Sequence, residues 1–279
     1  MLLLNGCSFV WGDELEGYDN NPPTHHPHTF AHKLADKLGV EYVNLARCGN
    51  CNEKIFRDVM TYLTTEEKPS HLMVLWSDPI RKEQLLEVYD ESEPNVPRQI
   101  SMTQWHENRW QDLELSMSPT IARNFSRHEI YMEHTRFKRA KRVVDSYFSV
   151  FATPITHQLT MMLAIQKLAD EMGIKVVQGV FHTLVRTQLK RFTNRVDRSK
   201  DTCGEQLVDW REWVSDTLGT IRPECQLGLV EGATLWDKQG DRPLKKEGHT
   251  DEQSHTEYAE YLFEVFKNDT KMSLTDLIT

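Results

Sequence analysis

Long apolar runs are missing from this chain of 279 residues. Apolar stretches such as 73–76 and 176–181 have the length of strands and fall far short of the ~18 residues that a membrane-spanning helix needs. The apolar start has no basic flank and no cleavage site, so we expect no signal peptide. Cysteine is scarce and odd in number, at five residues, which argues against a disulfide scaffold. We therefore expect a cytoplasmic protein without a membrane partner.

An excess of positive charge is also missing. Lys and Arg number 33 against 42 Asp and Glu, so the formal charge is 33 − 42 = −9, which argues against nucleic acid as a partner. Hydrophobic residues make up 39% and charged residues 27%, which is typical of a globular protein and not of a disordered one. The oligomeric state stays open.

Strand-like and helix-like segments alternate along the chain. Strands are predicted at 1–5, 40–45, 71–76 and 174–181, and helical patterns at 30–38, 53–63, 136–172, 206–218 and 256–267. This alternation predicts a three-layer α/β/α fold with a parallel, flavodoxin-like sheet, in a single domain over 1–279. Residues 82–130 have no clean period, and we expect them to form an inserted irregular or helical subdomain.

Residues suited to acyl transfer follow the predicted strands. Ligands of parallel α/β sheets bind beyond the carboxyl ends of the strands. Ser8 follows the first strand, and His249 precedes the last helix. A serine hydroxyl and an imidazole that takes its proton are the parts of a nucleophilic site, although a lone serine at such a turn is more often a cap.

Four segments, in this order, resemble the SGNH or GDSL-like hydrolase superfamily, in the form written by members that phages encode. They are Gly6-Cys7-Ser8-Phe9, Asn44-Leu45-Ala46 with Gly49 and Asn52, Leu75-Trp76-Ser77-Asp78, and the stretch 249–255. The resemblance implies an SGNH fold and a serine esterase that hydrolyses carboxylic esters, deacetylation of carbohydrates included. It implies a small-molecule or carbohydrate ester as substrate, and neither a cofactor nor a metal.

The resemblance also implies roles for individual residues. Ser8 would be the nucleophile and His249 the base, with Glu247 as the acid that orients the imidazole and Asp251 as the second choice. The N–H groups of Ser8 and Gly49 and the hydroxyl of Ser77 would form the oxyanion hole, and Asn52, Asp78 and Arg81 would bind substrate.

Three departures from the family pattern bear on activity. Cys7 replaces the Asp of Gly-Asp-Ser, and Ser77 replaces an Asn that donates to the oxyanion. Lys246 stands where the family has its acidic residue, three positions before the catalytic histidine. The departures at Ser77 and Lys246 support an alternative hypothesis, in which the chain is a catalytically decayed SGNH-fold binding or structural protein of a virus. The change at Cys7 is tolerable, because the Asp it replaces is not a member of the family's catalytic triad.

Other motifs allow other functions. Cys48-Gly49-Asn50-Cys51 opens a predicted helix, as redox and metal motifs do, although its Gly and Asn also suit the second block. His28 and His32 have the i, i+4 spacing of a metal arm but no acidic partner motif, and a solvated helix start is the favoured explanation for them. The basic stretches 136–142 and 186–200 could steer an anionic substrate or be solvated faces.

Overall fold

The computed structural model describes residues 1–15, 27–77, 79, 82–90, 93–106, 109–115, 152–181, 186, 205–229, 233–245 and 249–267. Its strands are β1 (Leu2–Asn5), β2 (Tyr42–Asn44), β3 (His71–Trp76), β4 (Lys82–Asp90), β5 (Glu93–His106), β6 (Arg109–Leu115) and β7 (Lys175–Val180). Its helices are α1 (Ser8–Trp11), α2 (Phe30–Leu38), α3 (Asn52–Thr65), α4 (Ala152–Met172), α5 (Glu205–Thr220), α6 (Leu235–Gln239) and α7 (Glu252–Lys267).

The central sheet has the strand order β2-β1-β3-β7, and every pairing in it is parallel. β1 therefore lies between β2 and β3, which places the turn after β1 in the middle of the carboxyl edge. A single parallel bridge extends the sheet beyond β7, because Val180 N–H donates to the Leu227 carbonyl at 2.9 Å. Such an edge, next to a strand where the order reverses, is where α/β folds bind ligands.

Helices cover the sheet on both faces because β1 is apolar on both. Leu2 and Leu4 belong to a core cluster with α2 and α7, and Leu3 belongs to a second cluster with α3 and α4. All three side chains are fully buried, and each contributes about 1.5–3 kcal/mol to stability. The predicted three-layer α/β/α architecture with a parallel sheet is confirmed.

The strands described between residues 82 and 115 differ from the irregular or helical subdomain expected at 82–130, of which residues 116–130 lie outside the described part of the chain. β4, β5 and β6 form an antiparallel sheet of three strands, in which each strand pairs with the next along the chain. Polar residues interrupt the apolar alternation in these strands, as in Lys82-Glu83-Gln84, so the sequence shows no clean period. Backbone pairing between neighbouring strands stabilises such a sheet without that period. The assignment of the chain to one domain stays a prediction.

Candidate active site

The turn after β1 places Ser8 at the carboxyl edge of the sheet. Asn5 Oδ1 accepts the N–H of Gly6 at 2.7 Å, and Asn50 Nδ2 donates to the Gly6 carbonyl at 2.9 Å. A Cβ on residue 6 would lie 2.9 Å from a carbonyl oxygen of β3, so the turn requires glycine. Cys7 then takes the N-cap position of α1, and Ser8 is the first helical residue. The hydroxyl-bearing residue is thus fixed by a tight, hydrogen-bonded turn.

Ser8, His249 and Glu14 form a continuous hydrogen-bonded relay. Ser8 Oγ lies 2.8 Å from His249 Nε2, and His249 Nδ1 lies 2.9 Å from Glu14 Oε2. A carboxylate can only accept, so Nδ1 carries the proton and Nε2 is the bare nitrogen that accepts the Ser8 hydroxyl. The side chains of His249 and Glu14 are 7% and 16% exposed, so water screens this interaction little. This is the geometry of an activated serine nucleophile.

Glu14 reaches His249 through an unusual backbone conformation. α1 ends at Gly12, whose φ of 91° reverses the chain, and Glu14 follows with a φ of 63°. A residue with a side chain rarely adopts this left-handed region, which costs about 1–2 kcal/mol. The conformation brings Glu14 Oε2 within 3.4 Å of the His249 backbone N–H as well as within reach of the ring. Strain held at one residue beside a reactive group is common at functional sites.

Glu14 was not among the residues predicted for the site. The family pattern directs attention to the residues before His249, whereas this acid comes from the Ser8 turn itself. The available signal was the pair Asp13-Glu14 directly after Gly12, in the loop that must lie at the carboxyl edge. Glu247, the predicted orienting acid, lies outside the described residues.

Asp251, the second candidate for that acid, has other partners. Its Oδ1 accepts the backbone N–H of Ser254 at 2.7 Å and its Oδ2 accepts Arg242 Nε at 2.9 Å. Burial disfavours the charged carboxylate, but the hydrogen bonds from Ser254 and Arg242 outweigh burial and hold the pKa of Asp251 below its ordinary value. These contacts stabilise the start of α7, and none of them is with His249.

The three residues predicted for the oxyanion hole follow the strands β1, β2 and β3. Ser8 is the first residue of α1, so the helix does not use its N–H. Gly49 is buried in the loop that follows β2. The Ser77 hydroxyl is buried at the end of β3 without a hydrogen-bond partner among the described residues. A buried hydroxyl without a partner is costly unless a ligand satisfies it.

Asn52, a predicted substrate-binding residue, holds Ser77 in place. Its Oδ1 accepts the Ser77 backbone N–H at 2.8 Å, and its Nδ2 donates to the Ser77 carbonyl at 3.2 Å. Asn52 is 2% exposed, so both polar atoms of its amide are committed to the backbone. The structure therefore shows it supporting the loop after β3. Asp78 and Arg81, the other predicted substrate-binding residues, lie outside the described residues.

The motifs considered for metal or redox chemistry have separate partners. His28 Nδ1 pairs with Glu252 at 3.1 Å and His32 Nε2 with Asp36 at 3.3 Å. In the part of the chain that the structure describes, no group of three or more His, Cys, Asp or Glu is arranged to hold a metal ion. Cys48 and Cys51 form no disulfide with a described residue, and the Cys48 thiol donates a hydrogen bond to Asp13 Oδ2 at 3.3 Å. Of the two basic stretches, only Arg186 is described, and its Nε donates to the Gly228 carbonyl at 3.2 Å.

Comparisons with known proteins add two distant similarities of shape. No family model matches the chain, and no curated protein matches it. A protein assigned to the lipolytic G-D-S-L family from Desulfitobacterium hafniense DCB-2 is 11% identical, with a TM-score of 0.43 over 95% of this chain and 98% of that one. A lipolytic G-D-S-L family member from Veillonella parvula DSM 2008 is 9% identical, with a TM-score of 0.41 over 96% and 98%. Such low scores carry no argument about function, which must come from the site.

None of the helices within the described ranges combines the length and apolar character needed to cross a lipid bilayer.

Proposed function

We propose that this protein is a serine esterase that hydrolyses carboxylic esters through a Ser8 acyl-enzyme. The observation that carries the proposal is the relay from Ser8 Oγ through His249 to Glu14, with hydrogen bonds of 2.8 and 2.9 Å. Ser8 is 1% exposed and His249 5%, so both groups have given up hydration to make this contact. Because the Ser8–His249–Glu14 relay is intact and buried, it supports an active catalytic site and not a decayed one.

In each half of the proposed reaction, His249 Nε2 accepts one proton and then donates it. Ser8 Oγ attacks the ester carbonyl carbon while its proton passes to His249 Nε2. The carbon–oxygen bond to the alcohol then breaks, and the alcohol leaves with the proton from Nε2. Water attacks the acyl-enzyme, gives a proton to the same nitrogen, and releases the acid as Ser8 Oγ takes that proton back. Glu14 stays ionised throughout and stabilises the imidazolium that forms twice in this cycle.

The negative charge that develops on the carbonyl oxygen needs donors fixed in advance. We assign this task to the N–H groups of Ser8 and Gly49 and to the Ser77 hydroxyl. Loss of one such donor typically lowers kcat by about 10²–10³. The two hydrogen bonds from Asn52 to the Ser77 backbone, at 2.8 and 3.2 Å, fix the loop that carries this hydroxyl.

The substrate class in this proposal is a small-molecule or carbohydrate ester, acetylated sugars included. The proposed chemistry uses no metal and no organic cofactor, since the nucleophile, base and acid are side chains of the protein.

The test is hydrolysis of a panel of p-nitrophenyl esters by wild-type protein and by Ser8→Ala. We expect wild-type turnover and a loss of at least about 10³ in the variant, whose folding is checked by circular dichroism. The matched control is Ser215→Ala, which changes an exposed serine of α5 and should retain the wild-type rate. A wild-type protein inactive on the whole panel, or a Ser8→Ala variant with undiminished turnover, would refute the proposed function.

A further inference from the structure

Asp13 is a mostly buried carboxylate that the proposed reaction leaves without a task. Its Oδ2 lies 3.7 Å from His249 Nε2, and its side chain is 17% exposed. Among the described residues it accepts one hydrogen bond, from the Cys48 thiol at 3.3 Å, and thiols are weak donors. No Lys or Arg within the described ranges forms an ion pair with it. One weak hydrogen bond does not compensate a carboxylate for its lost hydration, so a ligand is expected to pair with Asp13.

Asp13 lies close to the position that the leaving alcohol of an ester would occupy. His249 Nε2 is the nitrogen that accepts the Ser8 proton and then donates it to the departing alcohol oxygen. A carboxylate oxygen 3.7 Å from that nitrogen lies within a few ångströms of the leaving oxygen. Its charge therefore attracts a cationic alcohol and repels an anionic one, and low exposure limits the screening.

Aromatic rings supply the apolar side of the same site. Phe9 lies with its ring centroid 4.9 Å from that of His249, and it stacks on Phe181 at 4.5 Å. Trp236 meets the Phe9 ring edge-on at 6.3 Å, and both Trp236 and Phe181 are only partly buried. Aromatic faces attract cations, and with a nearby carboxylate they favour an alkylammonium group.

We propose that Asp13 selects esters whose leaving alcohol carries a positive charge, an alkylammonium alcohol above all. This inference rests on the proposed esterase function and adds the charge of the substrate. It is opposite in sign to the anionic substrate that the basic segments of the sequence suggested. Asp13 acts here as a specificity-determining residue, through its charge.

The test compares three esters of equal size that share one acyl group, the group preferred in the p-nitrophenyl series. Their alcohols are choline, its neutral isostere 3,3-dimethylbutanol, and 4-hydroxybutanoate, and the released acid is measured by NMR. We expect wild-type kcat/KM for the choline ester to exceed that for the neutral ester by about tenfold, equivalent to about 1.4 kcal/mol. The anionic ester should fall below the neutral one.

The variant Asp13→Asn should lower the ratio of the choline ester to the neutral ester severalfold, and the smaller preference that remains is that of the aromatic rings. Its matched control is Glu260→Gln, which makes the same change of net charge at a side chain of α7 that is 60% exposed, and which should keep the wild-type ratio.

The outcomes distinguish a failure of the role proposed for Asp13 from a failure of the proposed esterase function. Hydrolysis without a charge preference, preference for the anionic ester, or a ratio unchanged in Asp13→Asn would overturn the role of Asp13 and leave the esterase intact. A wild-type protein that hydrolyses neither these esters nor any p-nitrophenyl ester would refute both.

Discussion

Removal of the negative charge on Glu14 tests the one member of the Ser8–His249–Glu14 relay that was not predicted from the sequence. In Glu14→Gln the side chain keeps its length, but the partner of His249 Nδ1 at 2.9 Å becomes neutral. Hydrogen bonds to charged groups exceed neutral ones by about 1–2 kcal/mol, so the loss of charge alone lowers the rate by about tenfold. The amide can also present its N–H to Nδ1, which moves the ring proton to Nε2 and blocks acceptance from Ser8.

Both effects together predict a fall in kcat of about 10²–10⁴ with KM little changed. The assay is steady-state hydrolysis of the preferred p-nitrophenyl ester. Glu247→Gln and Asp251→Asn are the comparison variants, and both should retain most of the wild-type rate. Full activity in Glu14→Gln would refute the assignment, and a loss confined to Glu247→Gln would return the role to the acid expected from the sequence.

A glycine at position 14 separates activity from folding. Glu14 has a φ of 63°, and relief of that conformation is worth about 1–2 kcal/mol, which offsets the lost hydrogen bonds. Glu14→Gly should therefore lose activity as Glu14→Gln does, with a midpoint of thermal unfolding close to that of the wild type. A large drop in that midpoint would show that Glu14 is mainly a structural residue.

Three further predictions concern residues around the site. His255→Ala should lower the free energy of unfolding by about 1–3 kcal/mol in urea titrations, because Phe30 N–H loses its acceptor His255 Nδ1 at 3.1 Å, whereas only His249→Ala should abolish turnover. Because the pKa of Asp251 is lowered in the folded state, its contribution to stability should be full at neutral pH and decline as pH falls below about 4. In urea titrations from pH 7 to 2, the free energy of unfolding of the wild type should therefore approach that of Asp251→Asn. A difference between the two that stays constant with pH would contradict this. Burial raises the pKa of Cys225 to about 12, so iodoacetamide at pH 8 should modify this thiol only after unfolding, as peptide mapping would show.

The sequence predicted the central sheet well because its strands are apolar on both faces. The strands expected at 71–76 and 174–181 correspond to His71–Trp76 and Lys175–Val180, and the helix expected at 53–63 corresponds to Asn52–Thr65. The antiparallel strands between residues 82 and 115 were missed, since polar residues hide their alternation and pairing with neighbouring strands decides their structure.

Two residues of the site could be predicted from their positions relative to the predicted strands and helices. Ser8 and His249 were chosen because one follows a central strand and the other precedes the last helix, and the structure brings their side chains to 2.8 Å. Glu14 could not be chosen in the same way. Its contact with His249 depends on two left-handed residues, at positions 12 and 14, and a non-glycine residue in that conformation leaves no clear signal in a sequence.

Labelling with a fluorophosphonate probe is the sharpest test of Ser8 as a nucleophile, because phosphonylation requires a nucleophilic serine and does not depend on the choice of ester. We predict that the folded wild-type protein is labelled on the peptide containing Ser8, and that labelling is abolished in Ser8→Ala and at least a hundredfold slower in His249→Ala. The urea-unfolded wild type should not react, because the 2.8 Å contact between Ser8 Oγ and His249 Nε2 is lost. Absence of label from the folded protein, or label that persists in Ser8→Ala, would contradict the account.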